Sequence, residues 1–546
     1  MTHRALSLRA LYLSGAVLFL SIPIAQGGSA TWSANPTNSD WNTAANWMPN
    51  TVPNGPTDIA TFATSTATNV SLSSGVEVKG IVFNPGASSF TININPPVQQ
   101  FQLSIDGAGI TNNSGIAQHF VTADDAGGAL GEIIFGDNAT AGSLTTFTNK
   151  GGVFGGSFGA GGGIFFQGSN STAGHGIFTN NAGAVVGAGG GFIFFESNST
   201  AGEGTFTNDG AAVSGAGAGS VSFFTPSNGG NATIINNGGT ASGAAGGKTT
   251  FFGGTSQSTA TAANATLIAN GGVSGGAGGV IVFSGRTENG GKARVELFGN
   301  GTLQIDSHQT PGVTIGSIEG DGIALVGANK LTVGKNNLDT MFSGIIRESP
   351  IGAGGALAKI GKGTLTLGSA NDYTGGTTLR DGTLLIQNTT RSATGRGPVQ
   401  VTTGTLGGVG KMDGAVTVGT GTSSGAILLA GNSTNSPGIL TINNTLTFQS
   451  LSTYKCVLKR ATAIASKVTA LGVTINGNAT FSFVDTGTSS LATGTVFTVI
   501  NNTSSAPIVG AFSNLSDGSV FTSKGNNFQA SYEGGDGNDL MLTVVP

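Results

Sequence analysis

Short apolar runs, rather than helical stripes, organise this chain. Aromatic triplets recur along its middle: IIF at 133–135, IFF at 164–166, IFF at 193–195, SFF at 222–224, TFF at 250–252 and IVF at 281–283. Their third positions are Phe135, Phe166, Phe195, Phe224, Phe252 and Phe283, spaced by 31, 29, 29, 28 and 31 residues. Between them runs a second element: TFTNKGG at 146–152, then IFTNNAG, TFTNDG, TIINNGG and TLIANGG. Its apolar position falls on Phe147, Phe178, Phe206, Ile234 and Leu267. Runs such as FIFFES are too short, and too rich in β-branched and aromatic residues, for helices. Gly and Asn at the breaks supply the positive φ that tight corners need. A stretch such as Gly189 to Gly191 would cost a helix about 1 kcal/mol per residue relative to Ala. A unit of about 29 residues cannot bury its inward face alone, but stacked units can. The pattern therefore predicts a β-solenoid with like residues in ladders, Phe on Phe and Asn on Asn. With about 4.8 Å per rung, roughly 18 rungs would make a rod of about 85 Å.

Strand alternation puts the first and third triplet residues on one side and the middle residue on the other. The middle column reads Ile134, Phe165, Phe194, Phe223, Phe251 and Val282, all apolar, whereas the first column contains Ser222 and Thr250. One apolar column is thereby expected outside. Two alternatives stand: a loop or corner covers Phe165, Phe194, Phe223 and Phe251, or they form an exposed stripe that binds a partner or a glycan.

Composition supports a folded, exported rod. Of 546 residues only 48 are charged, 9 %, where soluble domains carry about 25 %. A net charge of −4 leaves no basic footprint for nucleic acid. Thirty-one Phe and 38 % apolar residues suffice for a core despite 95 Gly. The single cysteine, Cys456, excludes an intramolecular disulfide and lies in a strand-like run, which predicts a buried thiol. At the start, His3, Arg4 and Arg9 precede the apolar run Leu11 to Ile24, and small residues follow. This is the pattern of a secretory signal peptide over 1–30, with the mature chain starting near Thr31 and no later membrane span.

At 357–386 the chain reads LAKIGKGTLTLGSANDYTGGTTLRDGTLLI. Leu365 and Leu367, Thr377 and Leu379, and Leu384 and Ile386 predict three strands, with turns at Asn371-Asp372, Gly375-Gly376 and Asp381-Gly382. The segment resembles the autotransporter-associated β-strand repeat, K-x-G-x-G-T-L-x-L, then N-x-Y-x-G-x-T, then G-T-L. Lys359, Gly361, Gly363, Thr364, Leu365, Leu367, Asn371, Tyr373, Gly375, Thr377, Gly382, Thr383 and Leu384 carry the match. GTLGGVGKMDGAVTV at 404–418, SPGILTINNTLTF at 436–448 and the opening TWSANPTNSDWNTAANW also resemble such exported repeat proteins. The resemblance implies an all-β fold, a right-handed parallel β-helix as in autotransporter passengers (pectin lyase-like), at the cell surface or outside the cell, bacterial in origin. After residue 386 the only Tyr are Tyr454 and Tyr532, and there is no Trp. A translocator barrel with aromatic girdles is therefore not expected in those 160 residues.

The expected organisation is a signal peptide (1–30), a Trp-containing cap with first rungs (31–130) and a Phe/Gly/Asn solenoid (131–310). A solenoid with the repeat (311–430) and terminal rungs with an end cap (431–546) follow.

Chemistry is sparse. His119, His175 and His308 lack metal-ligand spacing to one another or to Cys456. Between 131 and 283 the acids are Glu132, Asp137, Glu196, Glu203 and Asp209, and they do not recur on one column. Polysaccharide-active enzymes need clustered carboxylates. One nonapeptide, Gly534 to Leu542, fits the G-G-x-G-x-D-x-U-x of calcium β-rolls, which makes Asp536 and Asp539 weak metal candidates. Calcium takes 6–8 oxygens and no second copy adjoins, so a glycine-rich corner before a last strand is the expectation. Trp32, Trp41 and Trp47 crowd the start, as an end cap or as platforms for sugars. The expected function is that of a secreted or cell-surface structural or interaction protein without catalysis or cofactors. The alternative is a polysaccharide-active enzyme or glycan-binding module on the same fold. Expected partners are an extracellular glycan, matrix or cell-surface component, not nucleic acid.

Overall fold

The structure is a computed structural model that describes residues 27–96, 100–124, 129–155, 161–253, 259–286, 289–309 and 311–546. Residues 1–26, most of the expected signal peptide at 1–30, lie outside the described residues.

Nearly every strand pairs in parallel with the strand one rung away, which defines a parallel β-helix. One face is a 14-stranded sheet from Trp47–Met48 and Ala30–Trp32 to Ile345–Arg347. A second face runs rung by rung from Asn69–Ser71 to Thr480–Thr486. Its pairings form an open ladder that does not return on itself. The third face begins as single bridges, Thr140 to Thr172 to Thr200 to Asn228 to Thr261 to Asn289. It widens into an eight-stranded sheet from Gly312–Ile315 to Val473–Ile475.

Ladders fill the inside. The ring centroids of Phe135, Phe166, Phe195, Phe223, Phe251 and Phe283 stack at 4.7–4.8 Å with near-parallel planes. That column corrects the expected one at two rungs. Phe223 and Phe251 point inward, and Phe224 and Phe252 point out. The registers Phe195 to Phe223 and Phe223 to Phe251 show the shift. The physical reason is period-2 alternation: Phe224 inside would put Ser222 inside and Val221 in water. The observed register buries Val221 and Phe223 instead. The second column holds as expected, with Phe120, Phe147, Phe178 and Phe206 stacked and Ile234 and Leu267 continuing it.

Beside these rings runs a fully buried amide ladder. Asn149 Nδ2 donates to Asn180 Oδ1 (2.7 Å), Asn180 to Asn208 (2.7 Å) and Asn208 to Asn236 (2.8 Å). Thr122 Oγ1 donates to Asn149 at one end and Thr249 Oγ1 to Asn236 at the other. Spare N–H groups reach the backbone carbonyls of Phe192, Ser220 and Lys248. Every member of the row has a partner, the condition under which a buried polar row does not destabilise.

The glycine-rich segments are the corner between the second face and the next strand of the first. At Gly190 an added Cβ would lie 2.2 Å from the Ala218 carbonyl oxygen, so only Gly lets these rungs approach.

Both ends are covered. Trp32, Trp41 and Trp47 are buried in one cluster with Phe62. Their indole N–H groups donate to the carbonyls of Ala67, Pro53 and Trp41. No Trp face is therefore free for a sugar. At the other end the chain turns antiparallel: Val496–Asn502, Asp539–Val545, Asn526–Gly534 and Val520–Ser523 pair in that order. Cys456 is buried, with its Sγ 3.8 Å from the Ser466 carbonyl oxygen.

Candidate functional site

The repeat at 357–386 supplies four strands: Ala356–Lys359, Thr364–Leu367, Thr377–Leu379 and Thr383–Ile386. Leu365, Leu367, Leu379, Leu384 and Ile386 point into the core. Its polar residues clamp rungs together. Lys359 is 1 % exposed, and its Nζ donates to the carbonyls of Ile360 (2.7 Å), Gly361 (2.7 Å) and Asp381 (3.3 Å). Burial pushes this amine down to about 8. Asn371 takes the Ile346 N–H (2.6 Å) and gives to the Ala393 carbonyl (2.5 Å), which ties three rungs together. The Tyr373 hydroxyl meets Thr377 Oγ1 at 2.6 Å, and Thr377 donates onward to the Thr394 carbonyl. Gly361 has φ +68°, and a Cβ there would lie 2.0 Å from the Gly334 carbonyl oxygen.

Beside the repeat, the buried Glu348 gathers five donors: the N–H groups of Gly352, Gly354, Gly355 and Thr374, and the Thr374 hydroxyl. Desolvation raises its pKa, but the hydrogen bonds outweigh that and hold it below the ordinary carboxylate value. Its stabilisation is therefore complete above that ordinary value and is lost as pH falls through the depressed folded value. Amide exchange at Gly354 and Gly355 is expected to rise relative to core amides in that acid window. Glu348→Gln should remove the pH dependence; identical profiles in both proteins would refute the assignment.

The weak metal candidates, Asp536 and Asp539, lie at a hairpin turn. Gly534 to Asp539 is the turn of an antiparallel hairpin, whereas a calcium β-roll needs parallel turns. Asp539 is buried and accepts the Asn502 N–H at 2.8 Å, while Asp536 faces solvent. The melting temperature is expected to be equal in millimolar calcium and in chelator, since only a ligand that binds the native state raises it. A rise of several degrees, abolished by Asp539→Ala, would show a metal site. Among the described residues no group of three or more His, Cys, Asp or Glu is placed to hold a metal ion. His119 Nδ1 lies 2.6 Å from Thr146 Oγ1, and His175 pairs with Glu203 on the surface at 3.3 Å. His308 is buried against the Gln309 carbonyl.

The surface feature that stands apart lies on the outside of the first face. Phe165, Phe192, Phe194, Phe224 and Phe252 form a continuous chain of ring contacts there, at 4.9–5.6 Å. Phe252 is 36 % exposed and Phe165, Phe194 and Phe224 are half-buried. The outer stripe thus exists, but with Phe224 and Phe252 in the places expected for Phe223 and Phe251. The alternation Val221-Ser222-Phe223 was the available signal.

The pairings define the class, a parallel β-helix scaffold. Within it, residues 357–386 match the model of the passenger-associated-transport-repeat family, so the chain carries an autotransporter passenger-type repeat. Among solved structures it is similar to the Hap adhesin of Haemophilus influenzae, at 11 % identity and a TM-score of 0.27. That alignment covers 89 % of this chain and 64 % of the other, so this chain spans less than two thirds of it. No curated protein matches. Among the described residues no helix is long and apolar enough to cross a membrane.

Proposed function

We propose that this protein is an exported scaffold, displayed at or beyond the cell surface, that works by presenting the long sides of a β-helix to other molecules rather than by turning over a substrate. One observation carries the reading: five buried side chains in and beside the repeat are committed to holding rungs together. Lys359, Asn371, Tyr373, Thr377 and Glu348 all satisfy backbone or neighbouring hydroxyl groups. A general acid or base needs a proton position free for substrate. The passenger-type repeat supports export. Fractionation of the native host tests the location, with the chain expected in the surface or medium fraction. A screen of residues 31–546 against extracellular matrix proteins and glycans, run beside a polysaccharide-cleavage panel, tests the role. Binding without cleavage is expected. Cleavage of any polysaccharide, or retention in the cytoplasm, would overturn the proposal.

A further inference from the structure

We infer that the outer side of the first face is a docking surface for a basic, apolar segment of a partner protein. The inference rests on the contact-scaffold reading and names the partner chemistry of one side of the rod.

Strand register places the outward residues in three columns. The first reads Gln102, Glu132, Gly163, Phe192, Ser220 and Lys248. The second reads Glu77, Ser104, Ile134, Phe165, Phe194 and Ser222. In the third, Asp106 pairs with Gly136, and further along Phe224 pairs with Phe252. Acids and rings therefore share one surface, with the acids on the earlier rungs and the rings on the later ones. The Asp106 carboxylate lies over Gly136, beside the exposed Asp137. Three carboxylates, Glu77, Asp106 and Asp137, lie on these early rungs with Lys79 beside them, while Glu132 is buried and Lys248 lies four strands further along the sheet. Burial first, and then the neighbouring acid, raises the pKa of Glu77 and of Asp106, so a partner cation placed there would be favourable.

Ring orientation decides between partner classes. Phe224 and Phe252 stack on each other at 4.9 Å and 7°, so the facing sides of both rings are withdrawn from solvent. Sugar stacking and cation–π contact both use ring faces. Edges pack instead against aliphatic and aromatic side chains. All five rings are Phe, without the hydroxyl or indole N–H that gives a sugar site its polar handle. An apolar stripe continued by an acidic patch is complementary to a segment with apolar residues at one end and Lys or Arg at the other.

The test uses the full secreted chain and labelled synthetic peptides of about ten residues, read by fluorescence polarisation. One peptide carries a leucine block followed by a lysine block, a second replaces Lys by Glu, and a β-1,4-linked oligoglucan serves as competitor. The Leu/Lys peptide is expected to bind, and more weakly as salt rises. The Leu/Glu peptide should bind at least about tenfold more weakly, as should the Leu/Lys peptide to Phe224→Ser/Phe252→Ser and to Asp106→Asn/Asp137→Asn. Should the double Phe variant lose its cooperative unfolding, Phe252→Thr at the most exposed ring repeats the measurement. Equal binding of both peptides, no effect of the variants, or displacement of the peptide by the oligoglucan would overturn the inference. The export and cleavage tests above are independent of all three outcomes.

Discussion

Phe195→Ala is expected to lower stability by about 3–5 kcal/mol. The ring is fully buried, sandwiched between Phe166 and Phe223 at 4.7 Å on either side and met edge-on by Phe206 at 5.7 Å. The backbones above and below are fixed by strand pairing, so the surroundings cannot close over the vacancy. Phe252→Ala, on the outer side, should cost about 1 kcal/mol or less. Urea unfolding of both variants checks this, and equal midpoints would show that the inward and outward columns are wrongly assigned. The contrast matters for function: a ring that folding does not require is free to be used.

The second large effect is expected at Arg460, and it tests the C-terminal cap. Its guanidinium is buried and meets Asp485 through two bonds, Nε to Oδ1 at 2.7 Å and Nη2 to Oδ2 at 2.6 Å. Its remaining donors go to the Ser489 carbonyl, to Asn526 Oδ1 and to the Ser523 carbonyl. One side chain thus fastens the terminal hairpin to the last rungs. Arg460→Ala leaves the Asp485 side chain without its direct partner, with only the more distant Lys524 as counter-charge, and a loss of about 3–5 kcal/mol is expected. Arg460→Lys should not rescue it, because a lysine cannot form the planar two-point contact. Desolvation raises the Asp485 carboxyl, but Arg460 and Ser523 outweigh it and hold it below its ordinary value. The pair's contribution is therefore present above the ordinary carboxylate range and lost as pH falls through the depressed folded value. Acid titration of the unfolding midpoint checks the sign; a flat profile shared with Asp485→Asn would refute it.

The periodic features of this molecule were legible because each is repeated. The 28–31-residue recurrence of Phe147, Phe178 and Phe206 announced both a rung and an inward column, and the Asn two residues on announced a second ladder. What misled was one residue of register. Matching SFF to IFF sets Phe224 on Phe195, although Val221, three residues earlier, is the apolar residue that alternation wants inside. The clamps were hidden for a different reason. Arg460 finds Asn526 from 66 residues away, and Glu348 draws its donors from a glycine loop and from Thr374. These contacts occur once, so no spacing points to them. The metal-like nonapeptide belongs to a motif of parallel turns, and local sequence does not state that the last strands run antiparallel.

The stacking of parallel rungs also has a mechanical consequence. If the two ends were pulled apart, rungs would peel away singly, because each is held only by its neighbours. A 28-residue rung such as that from Phe195 to Phe223 releases roughly 90–100 Å of extended chain while shortening the rod by about 4.8 Å. Under load such a rod would yield rung by rung, with shorter steps in the 19–22-residue rungs of the repeat region than in the Phe region.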